Sequence, residues 1–303
     1  MQLGTGRRLG AALILVPALV ACAGVTPRVR VGKSEGLLLF DRVPRRHAPG
    51  DIYAIRPDGT GLRNLTRSPS DEYDPAWSPD GQKIAFVDGE DVFVMNADGS
   101  NRRNLTTNGI VAPGGVSWSP DGRRIAVAGI DGGLYPIGAD GSGGRLLLND
   151  PGWATAPAWS PDGTRLVVSA NPGLRESGAR LYVLRLSGGP ARRLTHSRLI
   201  ESDPKWSPGG KLIAYAGTDD HHTNIYVIRS DGTSRRRLTH RQVAEGPAWS
   251  PDGKRIAFVV DPGFEIGKGE IFVMNADGSG QRRLTTGAQA LPTLSWRPLP
   301  AAG

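Results

Sequence analysis

A five-residue string recurs along the chain and sets the terms for any fold it can adopt. Trp77-Ser78-Pro79-Asp80-Gly81 returns as Trp118-Ser119-Pro120-Asp121-Gly122 and as Trp159-Ser160-Pro161-Asp162-Gly163. It returns again as Trp206-Ser207-Pro208-Gly209-Gly210 and Trp249-Ser250-Pro251-Asp252-Gly253, and a degraded copy, Trp296-Arg297-Pro298, closes the series. The copies lie 41, 41, 47, 43 and 47 residues apart. Self-similarity at such a period is the mark of a propeller or solenoid, in which each repeat buries its apolar face against its neighbours. The chain has 42 Gly and 24 Pro, but they fall at fixed places in the repeat, so they mark turns and not low complexity.

Each repeat reads as four strands. In residues 74–106, Asp74-Pro75-Ala76-Trp77 is a short extended run. A tight turn follows, in which Pro fixes φ, Asp bonds its own backbone and Gly accepts positive φ. Lys83-Ile84-Ala85-Phe86-Val87 and Asp91-Val92-Phe93-Val94-Met95 are nearly continuous apolar runs, as expected of strands covered on both faces. After a second turn, Asn96-Ala97-Asp98-Gly99, comes Arg102-Arg103-Asn104-Leu105-Thr106, a basic outer strand whose Arg residues discourage edge-to-edge pairing. The third repeat is the weakest: Pro136 interrupts its third strand, and Arg145-Leu146-Leu147-Leu148 lacks the closing Thr.

The two ends are out of phase in complementary ways. Leu37-Leu38-Leu39-Phe40 is a second strand with no Trp strand before it, and Thr293-Leu294-Ser295-Trp296 is a first strand with nothing after it. The expected fold is therefore all-β: a six-bladed β-propeller closed by pairing of the C-terminal strand with the N-terminal blade. The in-register Trp77, Trp118, Trp159, Trp206, Trp249 and Trp296 are expected to pack blade against blade.

The Trp-Ser-Pro-Asp-Gly turn, the Ile-Ala-Phe strand, the Asn-Ala-Asp-Gly turn and the Arg-Arg-Leu-Thr ending together resemble the WD-like repeat of TolB-type propellers. The resemblance covers residues 36–298. It implies a six-bladed propeller and a place in the cell envelope, where TolB is the exported component of the Tol–Pal system. TolB carries an α/β domain ahead of its propeller; here only a short tether precedes Gly36, which sets the expected form apart.

The N-terminus reads as a targeting signal. Arg7 and Arg8 precede an apolar run over residues 9–20, too short to span a bilayer but suited to a signal peptide core. It ends in Leu19-Val20-Ala21-Cys22, which resembles the bacterial lipobox, with Cys22 as the lipidated first residue of the mature chain. Cys22 is the only Cys, so it makes no internal disulfide. The expected organisation is a signal peptide over 1–21, a lipidated tether over 22–35, the propeller over 36–298 and a tail over 299–303. The protein is expected to be exported and held at the cell membrane or outer membrane. The formal net charge of +8 is a mild bias that does not by itself call for nucleic acid.

Alternating strand direction puts the two tight turns of every repeat on one side, the turn face, and the remaining connections on the other, the loop face. The turns are nearly constant; the loops vary in length, and variable loops on a rigid scaffold are where binding concentrates. Trp153 falls outside the Trp register, in a connection on the loop face, and is the first candidate for partner binding. Glu72, Tyr73, Asp74, Asp203 and Glu245 occupy comparable connections and are expected to give a channel mouth an acidic lining. In Asp219-Asp220-His221-His222, the residues His221 and His222 are candidates as well, although adjacent His side chains in an extended loop point apart and no metal is assigned to them. The turn aspartates lack the EF-hand spacing and are read as turn chemistry. No Gly-x-Ser-x-Gly elbow is present, and no cofactor is expected. The expectation is a monomeric, non-catalytic scaffold, attached to the membrane by lipid, that binds an envelope protein or peptide. A propeller hydrolase or lyase and a glycan-binding protein are the alternatives.

Overall fold

A computed structural model describes residues 36–43, 49–107, 109, 111–143, 152–171, 173, 178–261 and 268–299. The expected signal peptide, Cys22, the tether and the stretch Arg145-Leu146-Leu147-Leu148 lie outside the described residues. Every regular element among the described residues is a β-strand, and the fold is of propeller type.

The strands form antiparallel sheets, each named here by its in-register tryptophan. The Trp77 sheet runs Glu72–Trp77, Lys83–Asp88, Asp91–Asn96, Arg103–Asn104 in spatial as well as chain order. The Trp118 sheet has Val111–Trp118, Arg124–Gly129 and Leu134–Gly138. The Trp159 sheet has Trp153–Trp159, Arg165–Asn171, Arg180–Arg185 and Arg192–Arg193. The Trp206 group (Ile200–Trp206, Leu212–Thr218, Thr223–Arg229, Arg236–Arg237) and the Trp249 group (Val243–Trp249, Arg255–Asp261, Glu270–Asn275, Arg282–Arg283) share an eight-stranded sheet, joined by one parallel pair, Thr223 with Val243. In the Trp296 sheet, Ala290–Trp296 lies beside Leu38–Arg42, with Asp51–Ile55 and Arg63–Asn64 beyond. The pairing expected of the two ends is present, with Leu38 opposite Trp296 and Phe40 opposite Leu294.

Two strand readings change. The first strands begin earlier than the hydrophobic pattern suggests, so Glu72, Tyr73, Trp153, Asp203 and Glu245 lie in strands and not in connecting loops. The extension passes through a bulge, as between Tyr73 and Ala76 or Ser202 and Lys205, and the third residue before the Trp takes a positive φ: 58° at Asp74, 50° at Ala156, 52° at Asp203. A bulge breaks the alternation of side chains, which hides the strand from a period-two reading. The outer strands are shorter than expected, two paired residues each, because the Leu-Thr that follows is fixed differently. The Leu65 N–H donates to the Ile52 carbonyl, and the Thr66 hydroxyl accepts from the Ile52 N–H at 3.1 Å. The same pair of bonds joins Leu105 and Thr106 to Val92, Leu194 and Thr195 to Leu181, Leu238 and Thr239 to Ile225, and Leu284 and Thr285 to Ile271. Pro136 is tolerated within Leu134–Gly138, opposite Ala126.

Each tryptophan packs on the sheet before its own. Trp77 is clustered with Leu39, Ala54 and Leu65; Trp206 with Val167, Val183 and Leu194; Trp296 with Ala257 and Val273. Arg124, Arg165, Arg255 and Arg297 lie over the rings of Trp159, Trp206, Trp296 and Trp77, 4.8–5.3 Å from the ring centres. The outer strands add a second contact between neighbours. Arg103 donates to the carbonyls of Ala139 and Asp140, Arg192 to those of Ser230 and Asp231, and Arg282 to that of Pro57. The outer-strand arginines thus bind the turns of adjacent sheets as well as discouraging edge-to-edge pairing.

The glycines of the second turns have a matching role. A Cβ on Gly59 would collide with the Leu284 carbonyl, and one on Gly99 with the Leu65 carbonyl. Gly141, at the same repeat position and with nearly the same φ of 87°, would place a Cβ at an ordinary 3.6 Å from the Leu105 carbonyl. Gly141→Ala is therefore expected to cost only the backbone strain, about 1 kcal/mol, while Gly59→Ala and Gly99→Ala cost roughly 2–4 kcal/mol, strain plus displacement of a neighbouring sheet. Chemical denaturation of the three variants measures the difference. Deleting residues 290–303 removes the neighbour of Leu38–Arg42 together with a buried Trp worth about 3–5 kcal/mol, and is expected to lower the melting temperature sharply and promote aggregation through the bared edge.

Candidate functional site

Within a sheet, the two turns are tied to each other: the Ala97 N–H donates to the Gln82 carbonyl, Ser230 to Lys211 and Ala276 to Lys254. This fixes the turn face. The loop face carries Trp153, the first residue of its strand, paired with Asn171. Its indole lies over Gly132, and it is 55% exposed, whereas the six in-register tryptophans are all buried. Ile200 holds the same position in the next first strand and is 51% exposed; Ile130, close to Gly132 in the chain, is also exposed. A large apolar side chain more than half exposed, with two further exposed apolar side chains on the same face, is a surface suited to a partner.

The acidic candidates divide into two groups. Glu72 is buried and paired with Arg102, which also holds Asp88 and lies over the Phe86 and Phe93 rings. It is structural, as is Tyr73 in part, whose hydroxyl donates to the Gly89 carbonyl and is pushed up to about 12 by burial and surrounding carboxylates. Asp74 clasps three successive first strands: one carboxylate oxygen accepts from the N–H groups of Gly114 and Gly115 at 3.0 and 2.7 Å, the other from the Thr293 hydroxyl at 2.8 Å.

Asp203 and Glu245 differ from these. Burial raises Asp203, which accepts from the Ser202 hydroxyl, and its charge acts on Glu245 in the next first strand. Burial, then Asp203 and Asp261, push Glu245 up to about 7. A further carboxyl, Asp41, joins this group; it is 2% exposed, its Oδ1 has no hydrogen-bond partner, and burial followed by the charge of Asp74 raises it well above the usual range. Sequence reading passed over Asp41, although an acid in the run Leu37-Leu38-Leu39-Phe40-Asp41 was the available signal. His221 and His222 are exposed, their N–H groups donate to Asp219 Oδ1 at 3.0 and 2.8 Å, and their rings stand edge to face. Among the described residues no three His, Cys, Asp or Glu side chains are grouped as a metal site would require.

The turn face holds a depression of about 500 Å³ at the ends of the first strands, lined by tryptophans Trp77, Trp118, Trp206, Trp249 and Trp296 and by the turn prolines. The repeat motif thus lines a concavity that sequence reading had treated as structural only.

The family model of the TolB beta propeller domain matches residues 118–244 and 200–299. The chain belongs to the TolB beta-propeller family. A model of the N-terminal region of dipeptidyl peptidase IV matches residues 41–136. Protein TolB homolog of Chlorobium luteolum is 35% identical over 188 residues, which are 61% of this chain and 33% of that protein. Dipeptidyl-peptidase 5 of Porphyromonas gingivalis is 37% identical over 51 residues, 17% of this chain and 8% of that protein. The chain thus aligns with a third or less of the length of these curated relatives. The crystal structure of TolB from Acinetobacter baumannii superposes with a TM-score of 0.75 at 21% identity, covering 88% of this chain and 68% of that one. A TolB structure from Agrobacterium tumefaciens gives 0.67 at 20%, covering 88% and 99%. At these identities the structures share the fold.

The raised Glu245 makes stability depend on pH. A carboxyl that binds its proton more tightly when folded favours the fold most at low pH, and that favour is lost as pH rises from its ordinary value of 4.5 to about 7. Glu245→Gln is expected to leave stability at pH 4 nearly unchanged and to raise it at pH 8 by about 1–2 kcal/mol, allowing for partial contact with water. Urea unfolding at the two pH values checks the sign.

Proposed function

We propose that the protein is an exported, non-catalytic propeller of six blades closed into a ring, anchored to the cell envelope by lipid on Cys22, which binds a protein or peptide partner over its loop face. The observation that carries the binding reading is the exposed Trp153, with Ile200 at the same position of the next strand. Closure is supported by the strand pairing of Leu38 with Trp296 and by Arg282 and Leu284 meeting the Pro57-Asp58-Gly59 turn as other neighbours meet. The envelope and the partner class are supported by the similarity to TolB proteins.

On this reading Trp153, Tyr73, Asp203, Glu245, His221 and His222 face the partner. Glu72 and Asp74 act behind them, holding the first strands in place. Trp153→Ala is expected to weaken capture of an envelope partner about thirtyfold, as loss of a buried Trp anchor worth roughly 2 kcal/mol does, without lowering the melting temperature. A large drop in melting would make Trp153 part of the core. Unchanged capture would remove it from the site and turn the test to Tyr73 and His222. Cys22→Ala is expected to release the protein from membranes or stall its processing; firm membrane attachment of that variant would refute the lipid anchor.

The matches to dipeptidyl peptidase IV and dipeptidyl-peptidase 5 favour a second reading, in which the propeller serves a peptidase. Release of dipeptides from a longer peptide by the chain purified together with its bound partners would establish it.

A further inference from the structure

The repeat acts as its own alignment, and along it the charge is unequally shared. Residues 36–151 contain 12 Lys and Arg against 15 Asp and Glu, whereas residues 152–299 contain 20 against 13. Three repeat positions show how the difference is built. Before the Leu of the outer strand stand Asn64 and Asn104 in the first two repeats, but Arg193, Arg237 and Arg283 in the last three. The local bond survives the exchange. Asn64 and Asn104 accept from the N–H groups of Thr66 and Thr106, while Arg193 and Arg237 donate through Nε to the carbonyls of Thr195 and Thr239 at 2.8 and 2.7 Å. In the second turn, the Asp found at 58, 98, 140, 231 and 277 is replaced by Ser187 in the Trp159 sheet. In the first turn, the Asp found at 80, 121, 162 and 252 is replaced by Gly209 in the Trp206 group. The turns keep their form without these carboxylates: Ser207 Oγ still accepts from the Leu212 N–H at 3.0 Å.

Two adjacent repeats have thus each lost a carboxylate from the turn face, and the outer edge beside it has gained guanidinium groups. Beside them the turn face carries the exposed Lys211, Arg229, Arg236 and Lys254, and it keeps Asp231, Asp252 and Asp277, whose charges meet Arg229, Lys254 and Arg236. Arg192 adds its guanidinium, directed by the Ser230 and Asp231 carbonyls. A carbonyl orients a guanidinium but does not cancel its charge.

We propose that the turn face of the Trp159, Trp206 and Trp249 strand groups, with its adjoining outer edge, docks on the phosphate headgroups of an anionic lipid surface. Arginine pairs well with phosphate oxygens, and a juxtamembrane cluster of basic side chains is attracted to anionic lipid. Lipid fits better than single-stranded nucleic acid, which takes exposed aromatic platforms: the exposed Trp153 belongs to the loop face, on the opposite side. The proposal does not rest on Cys22 or on the loop-face partner, and it leaves that face free when the turn face is engaged.

The test is co-sedimentation of full-length protein, carrying Cys22→Ala throughout so that no acyl chain contributes. Vesicles of phosphatidylcholine alone are compared with vesicles of phosphatidylcholine and phosphatidylglycerol in equal parts. The expected result is binding to the anionic vesicles only, weakening with salt, and reduced about tenfold or more by Lys211→Gln, Arg229→Gln, Arg236→Gln and Lys254→Gln combined. A control removes four charges from the other half of the same face, by Arg56→Gln, Arg63→Gln, Lys83→Gln and Arg123→Gln, and should retain most binding. Equal binding to both vesicle types, indifference to salt, or equal loss in the control would overturn the proposal. So would a random-sequence DNA duplex that binds as tightly as the anionic vesicles and loses affinity with the same four substitutions, since the face would then belong to nucleic acid.

Discussion

Four of the strand groups of this protein are set by a close approach between the glycine of the second turn and a leucine carbonyl of the strand group before. Gly99 meets Leu65, Gly232 meets Leu194, Gly278 meets Leu238 and Gly59 meets Leu284. A Cβ would stand 2.4–3.0 Å from these carbonyls, so glycine is favoured by space as well as by its positive φ. Once the backbones are this near, the outer-strand arginine reaches the turn carbonyls and the tryptophan reaches the apolar face behind it. In three strand groups the indole N–H then finds a carbonyl of the preceding first strand, as Trp118 does with Ala76 at 3.2 Å, Trp206 with Ala158 at 3.2 Å and Trp249 with Lys205 at 3.1 Å. Backbone contact comes first in this arrangement, and side chains complete it.

This explains what could be read without coordinates. The turns were legible because their chemistry is local: Asp80, Asp121 and Asp162 each hold the Ser two residues before and the N–H two residues after, within the motif itself. The apolar second and third strands were legible because both their faces are covered. The start of each first strand was hidden by its bulge, which placed Glu72, Tyr73 and Trp153 in apparent loops. Nor could the sequence show which acids cooperate. Glu72 is tied to Arg102, 30 residues ahead, whereas Asp203 acts on Glu245 across two first strands. Those relations exist only once the sheets are side by side.

The candidate surfaces follow from the same construction. The turn face is committed to structure at its prolines, aspartates and glycines, so variation there takes the form of gain or loss of charge at positions the turn can spare, as at Ser187 and Gly209. The loop face has no such commitment, and there an apolar side chain as large as Trp153 stands exposed without disturbing any sheet. The raised carboxyls Asp41, Asp203 and Glu245 lie between these extremes, buried enough to resist ionisation and held by few bonds.

The pairing of Leu38–Arg42 with Ala290–Trp296 has a consequence for how the molecule comes into being. Leu38–Arg42 pairs along one edge with the nearby Asp51–Ile55, but its other edge waits for a neighbour made some 250 residues later. A chain emerging N-terminus first, from a ribosome or through a translocation pore, therefore cannot finish its first sheet on the way. That sheet is completed only after the strand Ala290–Trp296 has been delivered.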